Sequence, residues 1–127
     1  MGNLKVEKHS QFESIQMNQI VDARRHRRFR IEVKFNVYPR NSPVVRGDTV
    51  DISESGISAI LREEIPLGEV VRLEFALPFG EVELLAFVRQ RSAFRYGFQF
   101  VESGSAQQII GRTCVQLALE QPDRLPD

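Results

Sequence analysis

The chain has one cysteine, two histidines, three lysines and no long apolar run. A lone thiol, Cys114, excludes an internal disulfide, and a reducing compartment is the simplest setting for it. No window of about eighteen apolar residues exists, so no helical membrane span is expected. The first twenty residues carry Lys5, Glu7, Lys8 and Glu13 and lack the apolar core of a signal peptide. Met1-Gly2 opens like an acylation signal, but Val6 stands where Ser or Thr is needed. These absences lead us to expect a cytoplasmic protein. Histidine is too sparse for zinc: His9 and His26 stand far apart, and neither has a Cys or His partner at ligand spacing. Excess charge of either sign is also missing. Seventeen basic residues balance seventeen acidic ones, which argues against bulk attraction to nucleic acid or membrane, so any anion binding must be local.

What is present is arginine, phenylalanine and regular alternation. The 127 residues suit one domain; 42% are apolar, and nine Phe suit a β-rich interior. Fourteen of the seventeen basic residues are Arg, whose planar fork grips phosphates and stacks on rings. Five of them fall, with His26, between Arg24 and Arg30.

Residues 1–22 are polar and weakly patterned, a flexible leader or a short helix lined by Phe12, Ile15, Met17, Ile20 and Val21. From Ile31 the period is two: Ile31, Val33, Phe35 and Val37 alternate with polar residues and predict a half-buried strand. Turn residues 39–43 end it. Further strands are predicted over 44–52 (with a bulge or turn at Gly47-Asp48), 57–64, 69–77, 81–90 and 94–101. In the last of these, Phe94, Tyr96, Phe98 and Phe100 share one side, and Gly97 on the other leaves room for a neighbour or a bulge. The period then changes. Ser105 and Gln108 read as a capping box, and Ile109, Ile110, Thr113, Cys114 and Leu117 form the apolar stripe of a helix running to about Glu120. Six short strands and a terminal helix predict a mainly all-β antiparallel barrel or rolled sheet, with the helix over an opening or an edge.

Catalysis finds little support. Cys114 sits on the apolar side of the predicted helix, where a thiol is structural. Glu63-Glu64 and Glu81/Glu83 read as solvated faces, and the glycines make no phosphate loop. No enzyme, metal or cofactor is expected. Two features stand out. One is the arginine cluster, which also fits a charged guard beside an edge strand. The other is Asp51-Ile52-Ser53-Glu54-Ser55-Gly56, which also fits an ordinary turn. Taken together they complement an anionic guanine nucleotide. Arginines grip phosphate and the O6/N7 edge of guanine, Asp51 accepts from the opposite edge, and a glycine admits a flat group.

The order Arg-x-x-x-Arg, strand, Asp-x-Ser-x-x-Gly resembles the PilZ domain family. The chain supplies Arg24-Arg25-His26-Arg27-Arg28, then Asp51 to Gly56, then Arg95-Tyr96-Gly97-Phe98-Gln99-Phe100, which is similar to the family's last strand. The likeness covers about residues 23–120. It implies a six-stranded antiparallel PilZ-type β-barrel with a C-terminal α-helix over 23–121, after a leader at 1–22 and before a tail at 122–127. It also implies a receptor for the bacterial second messenger cyclic di-GMP. Carried over by position, Arg24 and Arg28 take the arginine roles, with Arg25 and Arg30 as further candidates. Asp51 and Ser53 contact a guanine, and Gly56 lets the nucleotide approach. Arg30 stands directly before Ile31, so a second register is open, with His26 at its first position. The expected mechanism is ordering of the N-terminal segment by the messenger, which then signals to an unidentified effector in motility, polysaccharide synthesis, a pilus machine or chemotaxis. Two rivals differ in class: a PilZ-like protein-interaction module that binds no nucleotide, and an arginine-armed barrel that binds RNA or DNA with a steep salt dependence.

Overall fold

The computed structural model describes residues 20–21 and 26–122. The rest of the leader, Arg24, Arg25 and the tail from residue 123 lie outside the described residues. The elements run β1 (Phe29–Arg30), β2 (Lys34–Tyr38), β3 (Val45–Ile52), β4 (Gly56–Leu61), β5 (Val70–Leu77), β6 (Gly80–Ser92), β7 (Arg95–Phe100) and α1 (Gly104–Glu120).

Alternation explains the strands. Val71, Leu73, Phe75 and Leu77 of β5 are buried, as are Val82, Leu84, Ala86 and Val88 of β6 and Tyr96, Phe98 and Phe100 of β7. Such one-sided strands hide their apolar face only by curling round a common interior. Here β3, β2, β5, β6, β7 and β4 pair antiparallel in that order, and β4 pairs back on β3 to close the six-stranded barrel. Closure leaves no open edge among these six strands. Phe35 sits at the centre, 5.6 Å from the Phe75 ring and 5.4 Å from the Phe98 ring.

β1 is the extra strand. It runs in line with β2 along the same side of β3, pairing Phe29 with Ile52 and Arg30 with Asp51. The predicted first strand is therefore broken at residues 31–33. Thr49 causes the break: its buried hydroxyl donates to the Ile31 carbonyl (2.7 Å) and accepts from the Val33 amide (2.8 Å), filling the gap between the two short strands. The irregularity expected at Gly47-Asp48 lies instead between Thr49 and Asp51. Gly47 is needed for another reason. A Cβ there would stand 2.2 Å from the Ile60 carbonyl oxygen, so β3 and β4 come too close for any side chain.

The third predicted strand ends early, at Leu61. The chain turns there to bury Ile65, whose amide donates to the hydroxyl of fully buried Tyr96 (3.0 Å). Phe94 lies in the turn between β6 and β7 and is exposed, unlike the three aromatics that follow it. The helix starts one residue before Ser105, with Ser103 as its N-cap. The Ser103 hydroxyl makes no capping bond; the Ser103 amide donates to Gln107 Oε1 (3.1 Å) instead. α1 lies against β6, β5 and β1, burying Ala106, Ile110, Thr113, Cys114 and Leu117. Burial of Ile110 and of Leu117 is worth about 1.5–3 kcal/mol each.

Candidate functional site

The site is built at the C-terminal end of β3. The bulge there leaves Val50 as the extra residue, so Asp51 faces Ser58 on the outer surface while Ile52 is buried against Ile57. Three side chains converge on the Asp51 carboxylate. Arg28 donates to Oδ1 through Nε (2.8 Å) and Nη2 (2.6 Å). Ser58 Oγ donates to the same oxygen (2.7 Å), and Arg95 Nη2 reaches Oδ2 at 3.2 Å. Asp51 is 17% exposed, against 44% for Arg28 and 51% for Arg95. With both guanidinium groups in water, each pair contributes at most about 1 kcal/mol. Such pairs exchange readily for a better partner.

The turn after β3 is held by Ser53. Its side chain is fully buried and does not line the groove described below. Ser53 Oγ accepts from the Gly56 amide (3.1 Å) and the Ser55 amide (3.2 Å), and the Ser53 amide donates to the Gly56 carbonyl (2.8 Å). Gly56 is required by its neighbour: a Cβ would lie 2.3 Å from the Phe98 carbonyl oxygen where β4 meets β7.

The arginine segment is anchored at both ends beside these residues. On its N-terminal side, the Val21 amide donates to the Phe100 carbonyl (3.1 Å), and Gln99 Nε2 donates to the Val21 carbonyl (2.8 Å). On its C-terminal side, Arg28 holds Asp51, and Gln121 at the end of α1 clasps Arg30. Gln121 Oε1 accepts from the Arg30 amide (2.9 Å), and Gln121 Nε2 donates to the Arg30 carbonyl (2.8 Å). Arg27 stacks over the Phe29 ring at 4.6 Å and donates to the Gln121 carbonyl. Of the predicted arginines, then, Arg28 is brought to Asp51, Arg30 is tied by its backbone to the helix end, and Arg24 and Arg25 lie outside the described residues.

Beside Arg28 and Asp51 lies an open groove of about 1030 Å³, lined among others by these two, Ser58, Arg95, Gly97 and Gln99. Its lining carries four arginines against one carboxylate, a surplus of three positive charges. Sequence reasoning assigned no role to Ser58, Arg95, Gln99 or the β6 arginines. Parity did place Arg95 and Gln99 on the outer face of their strand, opposite Tyr96, Phe98 and Phe100. It could not tell which strand would lie alongside. Cys114 is buried, and its thiol is pushed up to about 11 by burial first and by Glu54 second, with Arg28 opposing. It stays protonated and inert at neutral pH. Among the described residues no group of His, Cys, Asp and Glu is placed to hold a metal ion, and no helix is long and apolar enough to cross a membrane.

A family model described as PilZ domain matches residues 22–118. No curated protein matches the chain. Among solved structures, the chain is similar to the PilZ domain of CeSA from a cellulose-synthesizing bacterium, with 19% identity, a TM-score of 0.59, and 75% of this chain and 99% of that chain covered. It is similar to the PilZ domain of YcgR from Escherichia coli with c-di-GMP, with 17% identity, a TM-score of 0.63, and coverage of 78% and 94%. It is also similar to the K. pneumonia MrkH–c-di-GMP complex, with 20% identity, a TM-score of 0.65, and coverage of 79% and 53%. At such identities the structural likeness establishes the fold.

Proposed function

The chain belongs to the PilZ domain family, and from that membership we propose that it is a receptor for cyclic di-GMP, bound in the groove between the arginine segment and the end of β3. The observation that carries this reading is the meeting of the two sequence motifs. Arg28 and Asp51, 23 residues apart, form an ion pair on the wall of a cationic groove. The solved complexes of similar fold with c-di-GMP support the same ligand.

Binding is an exchange. A phosphate of the messenger takes the Arg28 guanidinium, and the donor-bearing edge of a guanine takes the Asp51 carboxylate. Both groups stay paired throughout, so neither is left desolvated and alone. Arg24, Arg25 and Arg30 add grip on phosphate and base from the same segment. Ser53 keeps the turn in shape beside the base, and Gly56 keeps β4 close against β7. Because Gln99 and Gln121 fasten the two ends of the segment, its rearrangement over the ligand pulls on the leader and on the helix end, presenting a changed surface to a protein effector.

A charge-assisted contact is worth about 1.5–3 kcal/mol, and a few of them reach about −8 kcal/mol, or micromolar affinity. Isothermal calorimetry on the full chain, with GTP and cyclic AMP as controls, is expected to give micromolar binding selective for cyclic di-GMP. Arg28→Ala and Asp51→Ala should each weaken it by about tenfold or more. Unchanged affinity in both variants would contradict the assignment.

A further inference from the structure

The β6–β7 wall of the groove carries a cation that the reading above leaves idle. β6 and β7 pair Val88 with Phe98 but Gln90 with Gly97, which leaves Arg89 as the extra residue of a β-bulge. The bulge changes what faces the groove. Under regular alternation, Val88 inside and Arg89 outside would turn Gln90 inward. Instead both Arg89 and Gln90 are exposed and line the groove. Gly97 faces this residue: Gln90 Cβ lies 3.5 Å from where a Cβ at position 97 would stand, an ordinary contact distance.

The other groove arginines already have partners. Arg28 and Arg95 share Asp51, and Arg91 pairs with Glu64 at 2.9 Å. Arg89 makes no hydrogen bond, ion pair or ring contact among the described residues. With Glu64 counted beside Asp51, the four arginines leave a surplus of two positive charges. One belongs to the shared Arg28–Asp51–Arg95 cluster and the other to Arg89. A surplus of two positive charges matches a ligand with two phosphates better than a mononucleotide with one.

We propose that Arg89 is an anion subsite on the wall across from the arginine segment, taking the second phosphodiester of a doubly charged cyclic dinucleotide whose first phosphodiester is held by Arg28. This rests on the cyclic di-GMP reading and adds a second point of grip to it. The two walls then read the spacing of the phosphates as well as their charge.

The test titrates cyclic di-GMP into the unaltered chain and the Arg89→Ala, Arg89→Glu, Arg89→Lys and Asp51→Ala variants at low and high salt. Arg89→Ala is expected to weaken binding by about fivefold or more, and Arg89→Glu by more than that. Arg89→Lys should stay close to wild type. Arg89→Ala should also flatten the salt dependence, because one screened contact is gone. Ligand-free unfolding midpoints of the Arg89 variants should match wild type. If Asp51→Ala loses binding while Arg89→Ala and Arg89→Glu bind like wild type, the subsite is overturned and the receptor reading stands. If the wild type itself does not bind, both fall. If all three Arg89 variants lose affinity equally and unfold earlier without ligand, the loss is structural and the subsite is overturned.

Discussion

Asp51 draws on three parts of the chain at once: Arg28 ahead of β1, Ser58 on β4 and Arg95 on β7. A carboxylate with that many donors is held in one place, and two of its three partners, Arg28 and Arg95, are about half exposed. The loop beside it is fixed by residues with no spare bonding capacity. The fully buried Ser53 spends its hydroxyl on the turn, and Gly56 exists because the Phe98 carbonyl occupies the place of a side chain. That makes Gly56 a sharp test of the packing. Gly56→Ala puts a methyl 2.3 Å from a backbone oxygen that neither strand can move without breaking its ladder. We expect a loss of roughly 2 kcal/mol or more in chemical denaturation, because overpacking against backbone has no rotamer escape.

At the scale of elements, the helix does two jobs. Its apolar stripe covers part of the barrel through Ile110, Cys114 and Leu117, and its C-terminal Gln121 clasps the backbone of Arg30. The stripe includes the thiol, and the thiol reports on the packing. Cys114 ordinarily ionises near 9.0 and here near 11, chiefly because it is buried. The folded chain therefore keeps a proton that the unfolded chain releases between those values. Its contribution to stability is complete below pH 9 and is lost as the pH rises towards 11. Denaturation midpoints measured at pH 8, 9.5 and 10.5 should fall more steeply for wild type than for Cys114→Ala. Equal slopes would show that the helix does not shield the thiol.

At the scale of the whole molecule, a closed barrel supplies one wall of the groove, and Arg28 beside it supplies a half-exposed cation. A ligand that binds only the folded state stabilises it by mass action. At a hundredfold excess over Kd the gain is about 2.7 kcal/mol, which for a domain of this size raises the melting temperature by roughly 10 °C. Differential scanning fluorimetry with cyclic di-GMP should show that shift in wild type and little of it in Asp51→Ala. A shift of the same size in both would place the ligand away from the groove.

Much of this was legible residue by residue. Period-two runs such as Val71, Leu73, Phe75 and Leu77 mark strands because alternation is a local property of extended backbone. The change of period after residue 104 marks the helix for the same reason. The motif pair Arg24–Arg28 and Asp51–Gly56 pointed to an anionic guanine nucleotide because those side chains carry its complement. Breaks and bulges were not legible in this way. The gap at 31–33 depends on a threonine hydroxyl sixteen residues further on, and the bulges at Val50 and Arg89 depend on which residue the neighbouring strand offers. The N-cap is Ser103 rather than Ser105 because Gln107 reaches back to the Ser103 amide, while Gln108 makes no such bond.

By itself, then, the sequence determined which residues alternate, where the chain turns and which side chains are chemically suited to phosphate and guanine, since each of these is encoded within a few consecutive positions. Only the tertiary structure decided that Arg28, Ser58 and Arg95 share one carboxylate, that Gly56 answers to the Phe98 carbonyl, and that Arg89 faces the same groove. Those facts follow from register between strands distant in the chain, and register is set when the barrel closes and every buried face must be satisfied together.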